Sequence, residues 1–268
     1  MKTAATLTTT AAAALASVAP STIKRWADEG VLPSWRTPGG HRRFKRIDVE
    51  RVLREQSSSE AKDPVTQDWT ECLIEAKRHK IESRLLEANA RLGSWARVCD
   101  EVSGALVEIG SLWSSGQLAV SQEHLATEAL LRCLGRISDA MPRQIGGPVC
   151  LLACPGEEQH TLGLALAELC LNEAGWSNLR LGARTPIEDI RRLIVDGSVT
   201  AVAVSATMAS DDEATEMAVQ LDEVCFVSSA HLVLGGAANW PDDLRTGVHV
   251  RSFAEFHNVV SRSREKGW

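Results

Sequence analysis

From residue 148 onward the chain keeps one rhythm. Four short apolar, β-rich runs follow one another: Val149–Ala153, Asn178–Leu181, Thr200–Ser205 and His231–Leu234. Each is followed by a stretch that can coil into a helix. Strands alternating with helices read as a parallel α/β sheet, because parallel neighbours need a crossover and a helix is the usual one. Ahead of this the period lengthens. Between about 66 and 140, Val98, Val102, Ala105, Ile109 and Leu112 recur at three- and four-residue steps, and a similar stripe runs through Val120, Leu131 and Leu134. Residues 57–65 are small, polar and stopped by Pro64, which reads as a linker. The expected division is therefore a head over 1–56, the linker over 57–65, a helical bundle over 66–145 and an α/β domain over 146–268. A chain of 268 residues is long enough for several such units.

The head is the basic part of an acidic chain. The net charge is −6, yet residues 1–60 carry ten Lys/Arg against six Asp/Glu, and the remainder carries nineteen against twenty-nine. A basic head on an acidic body suits an anionic partner for the head alone. Its local pattern says which. A short helix is expected over Ala11–Ser17, then a break at Val18-Ala19-Pro20. A second helix over Ser21–Glu29 follows, with Pro20 in its first turn and Gly30 as its C-terminal stop. Ser21, Thr22, Lys24 and Arg25 lie at the start of that helix, where helix-turn-helix proteins meet base edges in the major groove. Beyond it, a Pro-Gly-Gly turn between two extended segments makes a hairpin wing carrying Arg36, His41, Arg42 and Arg43, suited to phosphates or the minor groove. Trp26 and Phe44 are expected in the core that joins helix to wing. The stretch from Ala11 to Leu53, with its STIKRWADEGVLPS core and RTPGGHRRF wing, resembles a MerR-family winged helix-turn-helix. That resemblance implies binding to double-stranded DNA.

The ligands of open α/β sheets sit at the carboxyl ends of the strands. After the first strand comes Cys154-Pro155-Gly156-Glu157-Glu158-Gln159-His160-Thr161-Leu162-Gly163. Glu158, His160 and Gly163 have the spacing acid-x-His-x-x-Gly, which resembles the Asp-x-His-x-x-Gly motif of cobalamin-binding domains with Glu in place of Asp. The resemblance implies that His160 is the lower axial ligand of cobalt. It also implies that Glu158 fixes the other ring nitrogen and that Gly163 lets a helix pack close to the cofactor's nucleotide tail. Two further marks follow in order. Ser205 and Thr207 end the third strand and Gly235-Gly236 ends the fourth, all expected along the tail pocket. No GxGxxG follows the first strand, which argues against a dinucleotide site. Cys150, Cys154 and His160 offer three metal ligands without a fourth at the right spacing, which speaks against zinc.

Trp113 closes one helix of the middle segment, and nine residues later Glu123-His124 opens the next. Trp, nine residues, Glu-His resembles the signature of the CarH-type photoreceptors, also called the LitR group. Their order of MerR-like head, four-helix bundle and cobalamin domain spans the whole chain. The fold class is thus multidomain α and α/β: winged helix-turn-helix, four-helix bundle, Rossmann-like cobalamin-binding domain. The resemblance implies that the bundle covers the upper face of adenosylcobalamin, with Trp113, Glu123 and His124 against it. It further implies that a dark homotetramer (or dimer) represses transcription and that light dissociates it. One residue departs from the pattern: directly after the Trp, the family carries a histidine that takes the upper position on cobalt after illumination, and here stands Ser114. That leaves room for another tetrapyrrole, haem or a bilin such as biliverdin, with Cys72, Cys99 or Cys133 near it. An enzyme of the methyl-carrier kind shares the body but has no use for the head, so no catalytic residues are expected. Seven cysteines without a CxxC pair fit reduced thiols in a cytoplasm. No apolar run nears the roughly 20 residues that span a bilayer, and the N-terminus has no secretory pattern.

Overall fold

A computed structural model of the chain describes residues 6–16, 18, 20–28, 30–37, 40–49, 52, 63–142 and 146–265. It forms two compact units, Met1–Pro64 and Val65–Trp268.

The first unit runs β1 (Thr6–Thr8), α1 (Thr9–Leu15), α2 (Pro20–Asp28), β2 (Trp35–Arg36), β3 (Arg42–Lys45) and α3, of which residues 46–49 and 52 are described. Pro20 is the first helical residue of α2, where its missing N–H costs nothing. Gly30 takes a left-handed φ of 74° just beyond that helix, as expected of its C-terminal stop. Pro38 and Gly39 of the wing turn, and Ser17 and Glu29 at the expected helix ends, lie outside the described residues. Gly40 holds φ 79° and its N–H donates to the Thr37 carbonyl at 2.8 Å, so the hairpin closes. Trp26 and Phe44 are buried together with Ala12, Ile23, Leu32, Val49 and Val52. The wing gains a third strand that the sequence pattern did not suggest. β1 pairs antiparallel with β3, Leu7 opposite Phe44, giving the order β1-β3-β2.

The second unit starts with four helices, α4 (Pro64–Ile74), α5 (Arg78–Leu92), α6 (Trp95–Ser114) and α7 (Val120–Ala140). Because α4 begins at Pro64, the linker expected over 57–65 ends two residues earlier, at 63; residues 57–62 are not described. Val98, Val102, Ala105 and Ile109 are buried as the stripe required. Val120 is not: it is half exposed at the first position of α7, nearly two turns before the helix meets the core at Ala126. Then come β4 (Val149–Pro155), α8 (Leu162–Glu173), β5 (Ser177–Thr185), α9 (Ile187–Val195), β6 (Ala201–Ser205), α10 (Asp211–Ser228), β7 (His231–Gly235), β8 (Gly247–His249) and α11 (Phe253–Glu265). All five strands are parallel, in the order β5-β4-β6-β7-β8. The chain moves from β4 outward to β5 and then returns to β6 on the other flank. That switch opens a crevice at the carboxyl ends of β4 and β6.

The bundle and the sheet share one core. Cys99 and Val102 of α6 join Leu166, Leu169 and Cys170 of α8 and Phe256 and Val260 of α11 in a single buried cluster. Two carboxylates lock it from opposite sides. Glu173, at the end of α8, accepts the N–H groups of Trp95 (2.8 Å) and Ala96 (3.3 Å) at the start of α6. Asp100 of α6 accepts those of Phe253 (2.6 Å) and Ala254 (3.2 Å) at the start of α11. Each acid satisfies orphan donors at a helix N-terminus and complements its dipole, so α6 is fixed to the sheet layer along its first two turns.

Candidate cofactor site

The crevice between β4 and β6 is organised by one carboxylate. Glu158 is buried, its side chain only 3% exposed, and both its oxygens are engaged. Oε1 accepts the N–H groups of Gln159 and His160, each at 2.9 Å, and meets His160 Nδ1 at 2.5 Å. Oε2 accepts the N–H groups of Thr207 at 2.5 Å and Met208 at 3.0 Å. Burial alone would push this acid up; the amides of Thr207, His160 and Met208 and the imidazole outweigh it and bring its pKa down to about 2. The carboxylate thus ties the loop after β4 to the loop after β6. His160 is held by Nδ1, while its side chain stays 60% exposed. In the tautomer whose Nδ1 donates to the carboxylate, Nε2 keeps its lone pair, the form in which imidazole binds a metal.

The other expected residues gather around this pair. A Cβ at Gly163 would stand 3.1 Å from Ser205 Oγ, so the start of α8 passes close to the end of β6 only because residue 163 has no side chain. Thr207 contributes its amide to Glu158. Gly235 ends β7 and its carbonyl accepts the Ala206 N–H at 3.2 Å. At Gly236 φ is 87°, and a Cβ would fall 2.2 Å from the Ala206 carbonyl oxygen, so the chain's own backbone demands glycine there. Three contributors carried no sequence signal. Met208 serves Glu158 through its amide, which any residue but proline could offer. Arg184 pairs with Glu157 at 2.5 Å and gives its N–H to the Glu158 carbonyl at 2.9 Å, bracing the loop from β5. Cys154 donates its thiol to the His160 carbonyl at 3.4 Å; burial, then the Glu158 charge, pushes that thiol up to about 12. With Cys154 so engaged and Cys150 fully buried, no cluster of metal-binding side chains forms among the described residues.

The bundle set is placed differently. Trp113 is 49% exposed near the end of α6. Ser114 Oγ donates to the Ser111 carbonyl at 3.0 Å. His124 Nδ1 lies 2.5 Å from Glu123 Oε2, and Glu123 Oε1 accepts from Thr127 at 2.8 Å. No hydrogen bond or ion pair recorded among the described residues joins this group to the His160 loop. In the head, Ser21, Lys24, Arg25, Arg36 and His41 are exposed, and Thr22, Arg42 and Arg43 half-buried.

The helix-turn-helix domain family matches residues 6–57, and the B12 binding domain family matches residues 65–138, the four helices. Among curated relatives, the HTH-type transcriptional repressor CarH of Myxococcus xanthus is 28% identical over 221 residues, covering 69% of this chain and 73% of its own. The chain is similar to the CarH-type regulators. It unites a helix-turn-helix domain with a B12 binding domain, as the head and body read from the sequence require. The repressor CarA of Myxococcus xanthus is 34% identical over 97 residues, 36% of this chain and 34% of that protein. The solved monomethylamine corrinoid protein of Methanosarcina barkeri covers 75% of this chain and 99% of its own with a TM-score of 0.58 at 14% identity, which places the body in the same fold.

Proposed function

We propose that this cobalamin-binding transcription repressor is a light sensor, that adenosylcobalamin is its chromophore, and that His160 holds the cobalt from below. The observation that carries this reading is the Glu158–His160 pair: a buried carboxylate holds Nδ1 while most of the ring stays exposed. The bound cofactor would supply a cobalt–carbon bond that light breaks. What the chain does is bind and orient. Ser205, Thr207, Gly235 and Gly236 line the tail's path beside Gly163, and Trp113 offers an exposed aromatic face to the upper ligand, flanked by Glu123 and His124. Ser21, Thr22, Lys24 and Arg25 read the major groove, with Arg36, His41 and Arg43 on the wing. A ligand controls DNA binding only by favouring one assembly state over another. A dark homo-oligomer, dimer or tetramer, that light dissociates would meet that condition, in a cytoplasm where the seven thiols stay reduced. No helix among the described residues is long and apolar enough to cross a membrane. The head gives the body a regulatory use in place of methyl transfer.

The test is reconstitution with adenosylcobalamin in the dark. The absorption spectrum, the assembly size and the retention of duplex DNA are then followed before and after illumination. All three should change together. A spectrum that light leaves unaltered rejects the photoreceptor reading; a haem or bilin spectrum from the purified chain favours the other tetrapyrroles, for which Ser114 is the motivating departure.

A further inference from the structure

Strand β3 reads Arg42-Arg43-Phe44-Lys45, and successive side chains of a strand point to opposite faces. Phe44 is fully buried in the head's core. Arg42, two residues away, therefore shares its inward face, while Arg43 and Lys45 share the outward one. The contacts agree. Arg42 Nη1 donates to the backbone carbonyl of Lys24 in α2 at 3.0 Å, across eighteen residues of chain. The α2 helix is nine residues long, and its buried anchors are Ile23 and Trp26, one turn apart on one side. Two anchors on a line leave roll about that line weakly restrained, and a bond to the neighbouring Lys24 carbonyl restrains it. Carbonyls of a helix point toward its C-terminus, where partial negative charge favours a cation. The bases are met at the opposite end, by Ser21 and Thr22.

We propose that Arg42 is a positioning residue that sets the roll of the recognition helix, and that the outward-facing Arg43 and Lys45 are the strand's phosphate contacts. This rests on the DNA-binding reading of the head. The two kinds of role separate cleanly. Losing a phosphate contact weakens binding to every sequence and flattens its salt dependence, whereas a misplaced recognition helix loses discrimination between sequences at unchanged charge.

The experiment uses the full chain and two duplexes: one the wild-type chain selects from a random pool, and a scrambled duplex of the same composition. Affinities are measured across a salt series. Arg42→Lys keeps the charge, but its nitrogen falls a bond short of the Nη1 position. It should keep the wild-type salt slope and lose about tenfold in the ratio of selected to scrambled binding, the range for one hydrogen bond to a charged donor. Arg43→Ala should weaken both duplexes equally and reduce the slope by about 0.9. Wild-type discrimination in Arg42→Lys, or a reduced slope in Arg42→Ala, overturns the assignment. Amide hydrogen exchange of the free chain provides a reading independent of DNA: α2 should exchange several-fold faster in Arg42→Lys, and unchanged exchange overturns the grip. If the wild-type chain selects no duplex from the pool while α2 exchange still rises in Arg42→Lys, the DNA reading fails and the grip stands.

Discussion

The two faces on which the cofactor is expected to rest are built in different ways. Below, Glu158 is buried, accepts four backbone N–H groups and an imidazole, and holds two loops of the sheet together. Above, Trp113, Val120 and Leu125 leave apolar surface open, and the polar pair Glu123–His124 bonds mainly to itself at the surface. The lower site is something the fold needs for its own hydrogen bonding, since buried donors left unpaired cost more than paired ones return. The upper site meets no such need. One face is therefore set before any ligand arrives, and the other is left for a ligand to complete.

If that contrast holds, substitutions below should damage the free protein and substitutions above should not. The largest effect belongs to Gly236→Ala. Its Cβ would overlap the Ala206 carbonyl at a φ that side chains avoid, and the backbone must move. A loss of about 3–5 kcal/mol in denaturant unfolding is expected, and a loss under about 1 kcal/mol would show that this crevice yields easily. Glu158→Ala should follow at about 2–4 kcal/mol, because it strands several amides together. Glu123→Ala should stay within about 0.5 kcal/mol of wild type. Equal losses at Glu158 and Glu123 would break the comparison. His160→Ala sharpens it from another side. Its ring is mostly exposed, so unfolding should change little, while retention of cobalamin on gel filtration should fall markedly with an altered bound spectrum. Full retention with an unchanged spectrum would remove His160 from the metal.

Much of this contrast was legible in the sequence, and for a physical reason. Strand-helix alternation placed the His160 loop at the carboxyl end of β4, and acid-x-His-x-x-Gly spacing brought Glu158, His160 and Gly163 to one crevice. Side-chain chemistry leaves such traces; backbone chemistry does not. The Thr207 and Met208 amides, two of the five groups that Glu158 binds, could belong to almost any residues. Strand β1 was hidden because Thr6-Leu7-Thr8 carries a single apolar residue, and β8 because Gly247-Val248-His249 does the same. The inward turn of Arg42 could have been read from Phe44 two residues on, yet a basic run in a wing reads first as charge. Val120 failed because a stripe says which face is apolar but not where a helix first meets its neighbour.

The smallest expected effect on the fold, and the sharpest test of the upper face, lies at Ser114. The CarH-type pattern has a histidine directly after the Trp, which takes the upper position on cobalt after illumination. Here Ser114 is exposed and its hydroxyl is turned back onto the Ser111 carbonyl at 3.0 Å, one turn down its own helix. A hydroxyl is a poor and short-reaching cobalt ligand. The other histidine expected at this face is His124, whose Nδ1 meets Glu123 Oε2 at 2.5 Å. The native chain should therefore show no lasting spectrum of two imidazoles after illumination, and it should release cofactor or recover in the dark. Ser114→His adds an imidazole on an exposed helix end at a cost within about 0.5 kcal/mol, and should create the two-imidazole spectrum. The decisive measurement is the illuminated spectrum of the native chain and of His124→Ala, before and after dilution into denaturant. A two-imidazole spectrum that survives both would mean that the upper face carries a ligand of its own, and the contrast between a finished lower site and an unfinished upper one would fall.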